Sequence, residues 1–155
     1  MSDLRDLYQE VILDHSRRPR NFGALDEANR AARGDNPLCG DNLVLAARVR
    51  DGRLEDVSFE GAGCAISVAS ASLMTEAVKG KSVEEAEALY HAFHHLLTDE
   101  APAGDADADA DLGKLEVFSG VREFPIRVKC ATLAWHTLHA ALERDGDGEA
   151  EVSTE

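Results

Sequence analysis

A formal charge of −14 over 155 residues, from 30 acidic against 16 basic side chains, argues against a phosphate-backbone partner, which calls for a concentrated Lys/Arg surface. The length is that of one domain, and 44% hydrophobic residues suffice for a modest core. No apolar run reaches the ~20 residues of a membrane span, the N-terminus lacks the blocks of a signal peptide, and three cysteines are too odd a number for a disulfide framework, so the expected setting is the reducing cytosol.

Leu4, Leu7, Tyr8, Val11 and Ile12 recur at helical spacing, with Asp3, Asp6, Glu10 and Asp14 off that stripe, which predicts an amphipathic helix over 3–15 closed by Pro19 and Gly23. Residues 17–37 carry Pro, Gly and Asn without an apolar period and read as an extended connection. From Leu43 the period becomes two, Asp51-Gly52 fits a tight turn at positive φ, and Val57 and Phe59 resume the alternation. This antiparallel hairpin leads into Gly61-Ala62-Gly63-Cys64.

The small residues Ser67, Ala69, Ser70, Ala71 and Ser72 then run into Leu73, Met74, Ala77 and Val78, a helix with a face suited to close packing. Ser82 with Glu85 three residues on forms a capping-box pattern before a helix bearing Leu89, Tyr90, Phe93 and Leu97. A short helix over 112–121 and a long one over 127–143, striped by Val128, Ala131, Trp135, Leu138 and Leu142, complete the pattern. The fold class expected is α+β, a small antiparallel sheet packed against several helices. Residues 1–144 form the domain; 99–111 read as a mobile acidic insertion and 145–155 as a disordered acidic tail, since neither stretch offers enough apolar surface to offset its ordering entropy.

The three cysteines sit in distinctive settings: Asn36-Pro37-Leu38-Cys39-Gly40-Asp41, Gly61-Ala62-Gly63-Cys64-Ala65-Ile66-Ser67 and Arg127-Val128-Lys129-Cys130-Ala131. With Asp41 they make four ligands of the kind tetrahedral zinc takes. Free cysteine is also a common small core residue, and Asp after Gly is equally what an Asx-turn uses. Cys64 is expected at a helix N-terminus, where the dipole favours thiolate, and Cys130 in the first turn of the last helix. Arg127 and Lys129 place positive charge at that same positive helix end, a reason to look for a local anion there; simple solvation is the plain alternative. Arg127, one turn before Cys130, is the better placed of the two. His91, His94 and His95 have metal-compatible spacing, but with no cysteine or carboxylate motif joining them they are assigned surface or packing roles, as are His15, His136 and His139.

Taken together, Leu38-Cys39-Gly40-Asp41, the run from Gly61 through Glu76, and Arg127 through Trp135 resemble the SufU branch of the IscU/NifU-like iron–sulfur assembly family. The opening Leu7-Tyr8, Asp14-His15 and Pro19-Arg20-Asn21-Phe22-Gly23 are similar as well. Scaffold-type IscU members carry His immediately before the third cysteine and a Pro-Pro-Val-Lys segment; here stand Lys129 and Phe124-Pro125-Ile126-Arg127, and the longer step from Cys64 to Cys130 matches the SufU insertion.

The resemblance implies the SufE/NifU-like, IscU-like fold and a zinc-dependent sulfurtransferase that accepts persulfide sulfur from a SufS-type cysteine desulfurase and passes it to a downstream Suf scaffold complex. It implies zinc on Cys39, Asp41, Cys64 and Cys130 and Cys39 as the sulfur acceptor; Arg127, singled out by its place at the helix start, is the candidate basic residue to act beside it. Two rivals stand beside it. One is a scaffold that assembles a [2Fe–2S] cluster, or holds iron, on the same cysteines; the other is a purely structural zinc in a docking protein.

Overall fold

A computed structural model of the chain describes residues 2–36, 40–98, 115, 117, 118, 121, 124–143 and 149–153. Helix α1 spans Ser2–Arg17, and strands β1 Arg30–Asn36, β2 Asp41–Arg50 and β3 Arg53–Ala62 follow. Helices α2 Ala65–Val78 and α3 Val83–Thr98 come next, then α4 Pro125–Glu143 and a short strand β4 Glu149–Ser153. Strands β1 to β3 pair antiparallel in chain order, so the α+β class with an antiparallel sheet holds.

The hairpin forms where the turn chemistry places it. Asp51 and Gly52 both take positive φ, 55° and 77°, the twist that joins adjacent antiparallel strands. Leu43, Leu45 and Ala47 face inward from β2. On β3 the inward phase slips: Leu54 and Val57 are both buried because a bulge lets Glu55 stand unpaired between the Val49–Leu54 and Arg48–Asp56 pairs.

Strand β1 corrects the expectation of an extended connection over 17–37. Its inward positions are Ala32, Gly34 and Asn36, small or polar, so the alternation carries no large apolar residue that would reveal it in the sequence. Residues 149–153 likewise depart from the expected disordered tail, pairing parallel to β1 with Ala31 opposite Glu149 and Asp35 opposite Ser153. β1 would otherwise be an edge whose free N–H and C=O groups accept a strand whatever its side-chain polarity. The 99–111 insertion and the remaining tail residues 145–148, 154 and 155 lie outside the described residues, as does most of the expected 112–121 helix.

One core lies between the sheet and the helices. Leu45, Leu54, Val57 and Phe59 meet Leu73 and Met74 of α2 and Leu133, Trp135 and Leu138 of α4, with Phe93 stacked on Trp135 at 5.0 Å between centroids. Burial of such side chains contributes ~1.5–3 kcal/mol each and is the main stabilising term. The capping box closes as its pattern predicts: Glu85 N–H donates to Ser82 Oγ and Ser82 N–H to Glu85 Oε1, both at 3.0 Å. His15 is buried between α1 and α2, its Nδ1 2.7 Å from Ser72 Oγ.

Helix α3 meets α4 through imidazoles. Tyr90 Oη lies 2.9 Å from His136 Nδ1, its ring stacks on His139 at 4.7 Å, and His139 Nδ1 contacts Glu87 at 2.7 Å. These histidines pack the helix interface, in line with the roles the sequence assigns them. Burial first, then the neighbouring His94 and His139, lowers His136 to about 4. Unfolded chain therefore takes up a proton that folded chain refuses, so stability present above pH ~6.5 is lost as pH falls toward ~4. We expect urea unfolding at pH 5 to show a deficit of about 1–2 kcal/mol relative to pH 7 from this partly solvated group, and His136→Gln to remove that part of the slope. An unchanged slope in the variant would assign the pH dependence elsewhere.

Candidate metal centre

Cys64 is the N-cap of α2. Its backbone is extended (φ −71°, ψ 166°) and its Sγ accepts the Ser67 N–H at 3.4 Å, the place usually taken by a Ser or Asp oxygen. The first-turn N–H groups and the positive end of the α2 dipole point at this position. The side chain is exposed.

Asp41 opens β2 and is buried. Its Oδ1 accepts the Cys64 backbone N–H at 2.8 Å, and its Oδ2 is 3.8 Å from Cys64 Sγ. The Asx-turn alternative is thus replaced by a long-range role: the carboxylate ties the start of β2 to the start of α2. A Cβ on Gly63 would stand 2.6 Å from Asp41 Oδ1, so the close approach of the two segments needs glycine there.

Cys130 lies deeper in its helix than expected. α4 begins at Pro125, a residue suited to the first helical position because its missing N–H would have no partner, and Val128 N–H already bonds Phe124 C=O at 3.0 Å. Cys130 therefore sits in the second turn, buried, beyond the strongest part of the dipole. Its Sγ is 3.6 Å from Asn36 Nδ2, which donates to it.

Ligand atoms of Asp41, Cys64 and Cys130 all lie within 4.8 Å of one another, the group among the described residues able to hold a metal ion. Zn–S and Zn–O lengths of ~2.3 and ~2.0–2.2 Å imply tetrahedral edges of roughly 3.5–3.8 Å, which the Asp41–Cys64 separation already meets. Two thiols and a carboxylate leave one coordination position. Cys39 lies outside the described residues; Asn36 and Asp41, which bracket its segment, are paired in the β1–β2 register, and Gly40 N–H bonds Asn36 C=O at 2.9 Å. Both flanks of that segment are therefore beside this candidate site.

Arg127 is exposed on the first turn of α4, its guanidinium carbon 4.8 Å from the centroid of the Phe124 ring. It stands one helical turn before Cys130. Phe124 and Ile126 beside it are exposed large apolar side chains. Asn36 is the member of the site that the sequence reading missed, because Asn before Pro reads as a turn signal.

The model of the NifU-like N-terminal domain matches residues 7–131. The chain belongs to that family. It is 42% identical over 149 residues to the iron–sulfur cluster assembly scaffold protein IscU of Streptococcus pyogenes, covering 96% of this chain and 91% of the relative. It is 40% identical over 147 residues to the zinc-dependent sulfurtransferase SufU of Bacillus subtilis, covering 95% and 97%. A crystal structure of a protein assigned as the SUF-system iron–sulfur cluster assembly scaffold of Fervidobacterium islandicum superposes with a TM-score of 0.78 at 34% identity, over 86% of this chain and 95% of that one. The family relationship expected from the cysteine motifs therefore holds. Among the described residues no helix of this NifU-like domain is long and apolar enough to cross a membrane.

Proposed function

We propose that this protein serves iron–sulfur cluster assembly as a zinc-dependent sulfurtransferase, taking persulfide sulfur from a SufS-type cysteine desulfurase in the cytosol and passing it to a Suf scaffold complex. The observation that carries the reading is the convergence of Asp41, Cys64 and Cys130 on one point, with both flanks of the Cys39 segment at the same place. The name and near-complete coverage of the Bacillus subtilis relative support it, as does Lys129 in the place where scaffold-type members carry His.

In this reading Cys39, Asp41, Cys64 and Cys130 hold zinc, which when bound keeps the thiols deprotonated. Cys39, between Pro37 and Gly40 in the sequence, acts as acceptor. Its thiolate attacks the outer sulfur of the desulfurase persulfide; the new S–S bond forms as the old one breaks, and the desulfurase cysteine leaves as thiolate. Arg127, one turn from Cys130, supplies positive charge to the incoming anion.

The test pairs metal content with desulfurase stimulation. We expect about one zinc per chain and a faster sulfide release that disappears in Cys39→Ser while the fold is kept. Stimulation undiminished in that variant would remove Cys39 as acceptor. The second reading, a [2Fe–2S] scaffold on the same cysteines, is favoured by the name of the Streptococcus pyogenes relative. Iron with acid-labile sulfide after anaerobic purification, and no stimulation, would establish it instead.

A further inference from the structure

The two described thiols receive hydrogen bonds of different origin. Cys64, at a helix start, accepts a backbone N–H from Ser67. Cys130 lies inside α4, beyond the residue where the i to i−4 ladder has begun, so the surrounding backbone N–H groups are committed to the helix. A side chain takes over: Asn36, 94 residues away in sequence, donates its amide N–H to Cys130 Sγ at 3.6 Å.

Asn36 is completely buried at the last inward-facing position of β1, opposite Asp41 in the strand register. A buried amide costs ~1–3 kcal/mol unless its hydrogen-bonding groups are used. A neutral thiol is a weak acceptor and a thiolate a much stronger one, so an amide directed at Cys130 matches a sulfur held in its anionic, metal-bound form. Asn36 is also attached, through Pro37 and Leu38, to the segment that carries Cys39.

We propose that Asn36 is a positioning residue that marks Cys130 as the permanent metal ligand. By sharing the sulfur lone pair, its N–H withdraws charge from this thiolate, fixes its rotamer against the ion and lowers its nucleophilicity, which disfavours Cys130 itself as the site of sulfur exchange. Because Asn36 ends β1 and Asp41 begins β2, the same contact also holds α4 in register with the hairpin that bears the carboxylate ligand. The inference rests on the zinc reading of the site.

The direct test uses the unaltered chain loaded with cadmium-113. The Asn36 side-chain N–H should show a scalar coupling to the metal across the N–H···S–Cd path, with Cys130 coupled to the same nucleus. Asn36→Asp, which keeps the shape and replaces the donor by a carboxylate, and Asn36→Leu should each weaken zinc binding by ~10–100-fold in chelator competition. In both, the thiolate-to-cobalt charge-transfer band of the cobalt-substituted chain should move to lower energy. Cadmium bound by Cys130 without coupling to Asn36, and folded variants with unaltered zinc affinity and band position, would reduce Asn36 to a structural residue and leave the sulfurtransferase reading standing. Cadmium that does not engage Cys130 would overturn both.

Discussion

Cys130→Ser is expected to lower zinc affinity on the order of 10²–10³-fold, the share of one thiolate in the ~10–16 kcal/mol of a structural zinc site. The fold should survive, because a serine hydroxyl fits the buried space and can accept the N–H that Asn36 gives the sulfur. Hydroxyl is a poor zinc ligand at neutral pH, so the loss falls on the metal and not on the core. Chelator competition measures the affinity and circular dichroism the fold. A second signature follows from linkage: added zinc raises the melting temperature of the unaltered chain by an amount set by its concentration relative to the dissociation constant, and that gain should vanish in the variant. A Cys130→Ser chain that keeps wild-type zinc affinity would show that the ion is held without this cysteine, and the centre described above would then be wrongly assembled.

Gly61→Ala carries the largest expected cost to stability. Gly61 has φ +145°, which L side chains rarely adopt, and it lies opposite Leu43 in the β2–β3 pair. A Cβ there would run into the backbone carbonyl oxygen of Asn42 and stand 2.6 Å from Leu43 Cα. Both obstacles are backbone in a paired strand, so neither can rotate away. Strain and overlap together should cost about 3 kcal/mol or more, which for a chain of this length is a fall of ~6–12 °C in melting temperature. The effect should reach the candidate metal site as well, since Gly61 is the penultimate residue of β3 and stands three residues before Cys64. Urea unfolding with an unchanged m-value and a lower midpoint is the measurement. A variant as stable as the parent would mean that β3 leaves the sheet before Gly61.

These two sites illustrate how differently the parts of the molecule are encoded. Features that depend on neighbours within about four residues were legible. Asp51-Gly52 makes the turn it predicts, Ser82 and Glu85 close their capping box, and Cys64 caps the helix that its Gly-x-Gly lead-in announces. The long final helix was legible too, but its start was misplaced by two residues. Pro125 reads as a breaker until it is seen at a helix N-terminus, and the shift moves Cys130 from the first turn to the second.

Strand β1 escaped because its inward face consists of Ala32, Gly34 and Asn36, chosen for closeness and not for apolar bulk. A Cβ at Gly34 would meet the Thr137 side chain and stand 3.0 Å from Leu133 Cδ1, so α4 lies almost on the strand backbone. β4 escaped for another reason: it is recruited by the backbone hydrogen-bonding edge of β1, which no hydrophobic pattern records.

Residue identity along the chain sets the chemistry available: which side chains are thiols and which carboxylate, that Cys64 begins a helix, and which family the motifs belong to. Only the folded chain brings the ligand atoms of Asp41, Cys64 and Cys130 within 4.8 Å of one another, sets Asn36 against Cys130, and packs Tyr90 of α3 on His136 and His139 of α4. Local propensity acts over a few residues, whereas those contacts join positions from 23 to 94 residues apart. Their placement depends on the β1–β2 register and on the depth to which α4 settles against the sheet, both set by packing of the whole core.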